Sequence, residues 1–206
     1  AEENAVSLAQ MAVEETGFGK VADKTYKNHM ASTLLYDAIK DMKTIGIVSE
    51  DPIARTMDVA DPVGLLMGIV PSTNPTSTAI FKSIIAIKAR NAIVFSPHPS
   101  AAKCTLKAEA GAPENIIGCI SMPSMPATDE LMHSKEVKMI IATGGPGMDK
   151  ASSSAGKPAL GVGAGNSPAY IERTANVQQA VTNIIASKTF DYGTICASEQ
   201  SIICEE

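Results

Sequence analysis

One cysteine lies in a polar loop where a thiol could do chemistry. Cys196 falls within F-D-Y-G-T-I-C-A-S-E-Q-S, residues 190–201, between a predicted helix and a predicted strand and close to Gly193. A thiol in such a loop can be accessible and can act as a nucleophile in its thiolate form. A free cysteine is more commonly a small buried apolar residue, and no histidine adjoins this one in sequence. The residues alone therefore favour packing and leave nucleophilic catalysis open.

Three polar or glycine-rich turns follow apolar runs that predict buried strands. These turns are P-S-T-N at 71–74, S-P-H-P at 96–99 and T-G-G-P-G at 143–147. Continuous apolar runs of this length are typical of parallel strands covered on both faces. The carboxyl ends of parallel strands meet at one edge of a sheet, where ligands bind. We therefore expect the three turns to converge and form a pocket.

Each polar or glycine-rich segment also has a plainer explanation. The turn at 143–147 could bring backbone N–H groups to a phosphate, but it does not match G-x-G-x-x-G and fits a tight turn equally well. The segment G-V-G-A-G-N at 161–166 brings backbone close to either a ligand or a neighbouring strand. Ser96 and His98 could bind a ribose or a phosphate, although a rigid turn at a strand end favours the same residues.

Strands alternate with helices from residue 65 onward, which predicts a parallel α/β sheet. Asn74 is predicted to cap a helix that begins at Pro75. An earlier helix over 24–43 carries an apolar stripe at Leu34, Leu35, Ala38, Ile39 and Met42. The predicted strands are 45–48, 53–59, 65–70, 92–96, 116–121, 137–142, 159–162, 169–172 and one that begins at 201. The other predicted helices are 1–16, 75–90, 128–133, 177–187 and one that begins near 100.

The composition excludes several classes of partner and site. Hydrophobic residues make up 45% and charged residues 19%, as in ordinary globular domains, and the net charge is −5. No block of Lys or Arg indicates binding to nucleic acid or to a membrane surface. No apolar run is long enough to span a bilayer. Four cysteines without C-x-x-C spacing and three histidines predict neither a metal site nor a disulfide scaffold, and favour a reducing, cytoplasmic location. Cys104, Cys119 and Cys204 are predicted to be packing residues.

Six ordered segments together resemble one family. They are V-P-S-T-N-P-T-S-T-A-I-F-K at 70–82, S-P-H-P at 96–99, A-G-A-P-E-N-I-I-G at 110–118, A-T-G-G-P-G-M at 142–148, S-A-G-K-P-A-L-G-V-G-A-G-N at 154–166 and K-T-F-D-Y-G-T-I-C-A-S-E-Q-S at 188–201. M-A-V-E-E-T-G-F-G-K-V-A-D-K at 11–24 fits as well. The chain resembles the CoA-acylating aldehyde dehydrogenases, including the N-terminal half of bacterial bifunctional aldehyde–alcohol dehydrogenases.

The resemblance implies an NAD-linked reaction with coenzyme A as co-substrate. A short aldehyde, with acetaldehyde favoured over propionaldehyde or succinic semialdehyde, would be oxidised to an acyl-CoA, or the acyl-CoA reduced. Cys196 matches the nucleophile that carries the thioacyl intermediate. Asn74 matches the residue whose amide forms the oxyanion hole together with the Cys196 backbone N–H. Val162 stands where hydrolytic aldehyde dehydrogenases have a glutamate that activates water.

The resemblance also implies a set of cofactor-binding positions. They are Pro71, Ser72 and Thr73 on the nicotinamide side, Ser96 and His98 at the adenosine ribose, Thr143, Gly144 and Gly145 at the pyrophosphate, and Val162 and Gly163 beside the nicotinamide.

The implied fold is aldehyde-dehydrogenase-like, with a Rossmann-type parallel sheet and helices on both faces. Residues 1–190 would form the NAD-binding domain with its N-terminal helices. Residues 191–206 would form the nucleophile loop and the start of a catalytic domain that is largely absent from the chain. The alternative function is therefore a catalytically incomplete nucleotide-binding or assembly fragment. The family also implies a homo-oligomer in the cytoplasm, and some members are packaged in bacterial microcompartments.

Overall fold

The computed structural model describes residues 1–110, 112 and 115–205. Three residues of the predicted motif at 110–118, namely Gly111, Pro113 and Glu114, therefore lie outside the described residues. Glu206, the last residue of the segment predicted at 191–206, lies outside them as well. Among the described helices, none combines the length and the apolar character needed to cross a bilayer.

The centre of the fold is a sheet of five parallel strands in the order β5-β4-β3-β6-β7. These strands are β3 (Leu65–Val70), β4 (Ala92–Pro97), β5 (Ile117–Cys119), β6 (Val137–Thr143) and β7 (Ala159–Val162). The middle strand β3 is almost wholly buried. It pairs with β4 on one side and with β6 on the other, so the turns after these three strands lie next to one another at the same edge.

Eight α-helices accompany the strands in the described chain. They are α1 (Ala5–Thr16), α2 (Val21–His29), α3 (Leu35–Ile39), α4 (Pro75–Lys88), α5 (Ala102–Glu109), α6 (Met125–His133), α7 (Pro146–Ser153) and α8 (Val177–Thr189). A π-helical turn at Met30–Leu34 joins α2 to α3. Pro residues stand at the first or second position of α4, α6 and α7, where a missing N–H removes no hydrogen bond of the helix.

Two of the core clusters lie on opposite faces of the sheet. Side chains alternate along a strand, so Met67 and Ile69 of β3 lie in one cluster while Leu66 and Val70 lie in the other. Met132 of α6 belongs to the first cluster. Two alanines of α4, at positions 79 and 86, belong to the second. Helices thus cover both faces, and the predicted fold class is confirmed.

Four predicted strands lie outside the central sheet. β1 (Gly46–Asp51) and β2 (Thr56–Ala60) form an antiparallel hairpin. The first half of the strand predicted at 53–59 is a turn, because the Asp51 carboxylate accepts the N–H groups of residues 53 and 54. β8 (Ser167–Ile171) and β9 (Glu199–Cys204) form a separate two-stranded parallel sheet.

The apolar stripe predicted on the helix over 24–43 is wrong. Leu34 and Met42 are 53% and 57% exposed. The buried side of this region is instead polar, with Lys24, Lys27 and Asn28 facing inward. Apolar periodicity could not reveal this, because the inward side chains of α2 hydrogen-bond to backbone groups and to an acidic side chain.

Gly68 provides a test of packing in the central sheet. A Cβ at this position of β3 would lie 2.6 Å from the ring of Phe95, which is fully buried and cannot withdraw. We expect Gly68→Ala to lower the free energy of unfolding by about 1–3 kcal/mol through overpacking. The control is Gly118→Ala in β5, where the nearest atom to the new Cβ lies at 3.9 Å. Urea unfolding that gives equal midpoints for the two variants would contradict this packing.

Candidate functional site

The three turns predicted to converge do so, around a cleft of about 510 Å³ at the carboxyl edge of the sheet. The turn after β3 forms one wall, the turn after β6 a second, and residues 163–165 together with the loop around Cys196 a third. The lining residues predicted from the sequence are Pro71, Ser72, Thr73, Asn74, His98, Thr143, Gly144, Gly145, Gly163 and Cys196. The structure therefore brings together residues that are up to 125 positions apart in the chain.

A second cavity of about 410 Å³ adjoins the first and shares Pro71, His98 and residues 143–145 with it. Ser96 lines this second cavity, where its buried hydroxyl is 2.7 Å from the Thr128 hydroxyl. The two cavities together form an elongated cleft along the ends of β3, β4 and β6. Val162 lines neither cavity: it ends β7, and its residue surface is 51% exposed.

Cys196 is an exposed thiol on the wall of the first cavity. Gly165 lies directly against its backbone, since a Cβ there would be only 2.0 Å from the Cys196 carbonyl oxygen. The sequence left open whether the glycines at 161–166 approach a ligand or a strand. At position 165 the close neighbour is the backbone of Cys196. Among the other cysteines, Cys104 is buried, but Cys204 is exposed on β9, so the packing role predicted for Cys204 is wrong.

Asn74 occupies the predicted N-cap position of α4, but its side chain does not cap the helix. Its Oδ1 accepts a hydrogen bond from Lys27 Nζ at 2.7 Å. Its Nδ2 donates to the Thr194 carbonyl oxygen at 2.8 Å, two residues before Cys196, and to the Thr73 hydroxyl oxygen at 3.3 Å. These three bonds replace the capping interaction, and one of them comes from a charged donor. The carboxamide thus lies beside the positive end of the α4 dipole and on the wall of the cleft.

A fully buried carboxylate, Asp191, organises the base of this region. It accepts hydrogen bonds from Lys24 Nζ at 3.1 Å, from Lys27 Nζ at 2.5 Å and from the Thr194 hydroxyl at 2.7 Å. The Lys20 backbone N–H donates to it as well, at 2.7 Å. Asp191 has a φ of 50°, in the left-handed region, so several strong hydrogen bonds hold a backbone conformation that is unfavourable for a non-glycine residue.

The charges in this cluster shift the pKa values of its members. Burial pushes the pKa of Asp191 upward, but hydrogen bonds from Lys27, Thr194 and Lys20 outweigh this effect and hold the pKa below its usual value. Burial lowers the pKa of Lys27, and the hydrogen bond to Asp191 opposes that shift. Two ammonium groups thus face the Asp191 carboxylate, and a second carboxylate, Asp23, accepts the Asp191 backbone N–H at 2.8 Å and raises the pKa of Lys27.

Lys82 is a further buried lysine, located beneath the cleft. It donates to the carbonyl oxygens of Ile69 at 2.7 Å and Ile141 at 2.8 Å, near the ends of β3 and β6. Burial lowers its pKa to about 7. Its position joins the two strands whose following turns form opposite walls of the cleft.

His98 connects the two cavities. Its Nδ1 accepts the Ser100 backbone N–H at 3.2 Å and lies 2.8 Å from the Ser100 hydroxyl. The neutral ring therefore carries its proton on Nε2, which leaves one N–H donor available to a ligand.

Comparison with known proteins assigns this arrangement to a family. The whole chain, residues 1–206, matches the aldehyde dehydrogenase family. The chain belongs to this family. It is 54% identical to the bifunctional aldehyde-alcohol dehydrogenase AdhE of Escherichia coli K12 over 207 residues, which are 96% of this chain and 23% of that protein. The resemblance drawn from the motifs is thus confirmed.

Two solved aldehyde dehydrogenases show the same fold. An acetylating aldehyde dehydrogenase from Geobacillus thermoglucosidasius is 59% identical with a TM-score of 0.91, and the match covers 100% of this chain and 47% of that one. A Rhodopseudomonas palustris propionaldehyde dehydrogenase with bound propionyl-CoA is 36% identical with a TM-score of 0.81, covering 96% and 45%. The chain therefore spans about half the length of these structures.

Sequence reasoning missed Lys24, Lys27 and Asp191 as parts of this family member's site. All three fall within or next to motifs that carry the resemblance, but their roles depend on contacts across about 170 positions of the chain. One usable signal was present. Lys24, Lys27 and Asn28 have helical i, i+3, i+4 spacing, which would place them on one face of α2.

The buried ion cluster predicts a large effect of neutralising Asp191. Asp191→Asn leaves two buried ammonium groups without their carboxylate, and we expect a loss of about 3–5 kcal/mol in the free energy of unfolding. The control is Asp37→Asn, which removes an exposed pair with Lys40 and should cost less than about 1 kcal/mol. Equal losses measured by urea denaturation would contradict the cluster's role.

The stability that Asp191 contributes should depend on pH. The pKa of Asp191 is lower in the folded state than the roughly 3.9 of an unfolded aspartate. Its contribution is therefore complete above the unfolded value and is lost as the pH falls through the folded value. The stability difference between the wild type and Asp191→Asn should shrink on acidification below about pH 4. A difference that stays constant down to the acid transition would contradict the direction of this shift.

Proposed function

We propose that the protein carrying this chain interconverts a short aldehyde and its acyl-CoA, with NAD as the redox partner and a thioester on Cys196 as the intermediate. The observation that carries the proposal is the exposed Cys196 thiol in a cleft that also contains the Asn74 carboxamide. A nucleophile and a hydrogen-bond donor that line the same cleft are the two elements that addition to a carbonyl requires.

The first step is addition of the Cys196 thiolate to the aldehyde carbon. A C–S bond forms, the carbonyl electron pair moves to oxygen, and the thiol proton leaves to solvent. The resulting oxyanion would accept hydrogen bonds from Asn74 Nδ2 and from the Cys196 backbone N–H. The positive end of the α4 dipole adds to this stabilisation, because Asn74 stands at the start of that helix.

The oxidation step requires a hydride acceptor, and the cleft fits a dinucleotide. The two adjoining cavities are long and lined by small or glycine residues at 143–145 and 163–165. A Cβ added at Gly145 or Gly163 would meet no atom within 4 Å, so the backbone there is open to a ligand. Bound NAD would supply the acceptor for the hydride that leaves the former aldehyde carbon. As the hydride leaves, the oxyanion lone pair reforms the C=O bond, and Cys196 carries a thioester.

Coenzyme A would complete the cycle by thiolysis. Its thiolate attacks the thioester carbon, the C–S bond to Cys196 breaks, and the Cys196 thiolate is released. Among the described residues that line the first cavity, the only ionisable side chains are those of His98 and Cys196. Val162 ends β7 just before the wall formed by residues 163–165, and its aliphatic side chain cannot act as a base. This supports transfer to CoA in preference to water.

The comparisons support a short aldehyde without singling one out. Acetaldehyde is the proposed substrate, since the Geobacillus relative is an acetylating enzyme, and propionaldehyde is the alternative suggested by the Rhodopseudomonas relative. Homo-oligomerisation, a cytoplasmic or microcompartment location and the two-segment division at residue 190 stay predictions.

The test is NADH formation from acetaldehyde in the full-length protein that contains this chain. We expect turnover that depends on CoA in the wild type and a loss of at least about 1,000-fold in Cys196→Ser, because the nucleophile is removed. Cys204→Ser, which alters another exposed cysteine outside the cleft, should keep its activity. Binding of NAD without turnover in the wild type would instead favour a nucleotide-binding or assembly role.

A further inference from the structure

The N-terminal motif carries contacts to the site that the proposed reaction does not use. Residues 19–27 contain Lys24 and Lys27, whose ammonium groups are almost fully buried. Lys24 Nζ donates to the Thr73 carbonyl oxygen at 2.6 Å, and Lys27 Nζ donates to Asn74 Oδ1 at 2.7 Å. The motif is thus bonded directly to the turn that bears the oxyanion-hole residue.

We propose that Lys27 is a positioning residue that fixes the orientation of the Asn74 carboxamide and strengthens it as a hydrogen-bond donor. This inference rests on the proposed function of Asn74.

The orientation follows from the chemistry of an ammonium group. A carboxamide can rotate so that either its oxygen or its NH2 group faces a neighbour. An ammonium group has three donors and no acceptor, so only the oxygen of Asn74 can face Lys27. The NH2 group must then point the other way, toward the Thr194 carbonyl oxygen at 2.8 Å and the Thr73 hydroxyl oxygen at 3.3 Å. Lys27 therefore selects the one orientation in which Asn74 can donate to an oxyanion.

The donor strength follows from polarisation. A charged donor on Oδ1 withdraws electron density from the amide, and hydrogen bonds in such a chain strengthen one another in a low-dielectric environment. Lys27 is only 6% exposed, so water screens this effect little.

The position of Lys27 is itself tightly determined. Asp191 holds its ammonium group, and the backbone around Gly19 leaves room for that carboxylate, since a Cβ at position 19 would lie 2.1 Å from Asp191 Oδ1. Gly19 also has a φ of 77°. Asp191 in turn binds the hydroxyl of Thr194, the residue whose carbonyl accepts from Asn74.

Lys24 offers a matched control. It donates to the same carboxylate and is equally buried, but its second bond goes to the Thr73 backbone and not to the Asn74 side chain. A merely structural ion cluster predicts similar effects for Lys24→Met and Lys27→Met. Positioning of Asn74 predicts that only Lys27→Met is coupled to Asn74.

The experiment is a double-mutant cycle in the full-length protein. The readout is single-turnover NADH formation from acetaldehyde without CoA, which isolates the step that the oxyanion hole serves. We expect Asn74→Ala to slow this step about 100- to 1,000-fold, as for loss of one oxyanion-hole donor. Lys27→Met should slow it at least about 10-fold in the wild-type background but less than about 2-fold in Asn74→Ala. Whatever its size, the effect of Lys24→Met should be the same factor in both backgrounds, because Lys24 makes no contact with the Asn74 side chain.

Crystal structures of the variants give a readout that does not depend on turnover. In Lys27→Met the Asn74 carboxamide should rotate or lose its bond to Thr194, whereas in Lys24→Met it should not. If Lys27→Met does not fold, Lys27→Gln makes the same test, because its amide can present either a donor or an acceptor to Asn74.

Two results would overturn the inference in different ways. In the first, the rate losses of Lys27→Met and Asn74→Ala multiply in the double variant, and the Asn74 side chain is unchanged in the Lys27→Met structure. Lys27 would then have only a structural role, and the proposed function would stand. An Asn74→Ala variant with wild-type NADH formation would remove the oxyanion role of Asn74 and the inference together.

Discussion

A carboxylate without solvent contact, Asp191, is the constraint on which the geometry of the cleft depends. Its side chain accepts hydrogen bonds from two ammonium groups of α2. In the sequence it stands five residues before Cys196. Such a charge is costly to bury unless its partners are in place, so the loop around Cys196, α2 and the turn after β3 must assemble together. The central sheet supplies the other half of the cleft by bringing the ends of β3, β4 and β6 to one edge. The geometry of the cleft thus depends on the edge of a parallel sheet and on an ionic connection to the N-terminal helices.

Close backbone contacts set the remaining geometry. Gly165 allows residues 163–165 to lie against the backbone of Cys196, and Gly19 allows the chain before α2 to lie against Asp191. Each glycine lets one segment approach a group that a side chain would displace. Lys82 joins β3 to β6, because its ammonium group donates to one backbone carbonyl oxygen of each strand. The contacts of Gly165, Gly19 and Lys82 therefore fix the backbone around the cleft.

The sequence predicted the sheet well because its determinants are local. A few adjacent residues are enough to predict β3, β4 and β6 from their apolar runs and the helix starts from their Pro residues. Because these strands are parallel, the turns that follow them were predicted to meet and form a cleft. Residues that depend on distant partners were not predictable in the same way. Lys24 and Lys27 resemble solvated helix residues until Asp191 is placed beside them, and Asn74 resembles a helix cap until Lys27 and Thr194 are. The pairing of β1 with β2 and of β8 with β9 in separate sheets was not predicted, because strand patterns do not specify their partners.

The account depends most on Cys196 as the residue that carries the acyl group. The most direct measurement is mass spectrometry of the full-length protein after incubation with acetyl-CoA in the absence of NAD, when the thioester can form but cannot be reduced. The account predicts one acetyl group on the peptide that contains Cys196, released again by added CoA. An acetyl group on a different residue, or none in a preparation that turns over acetaldehyde, would contradict it.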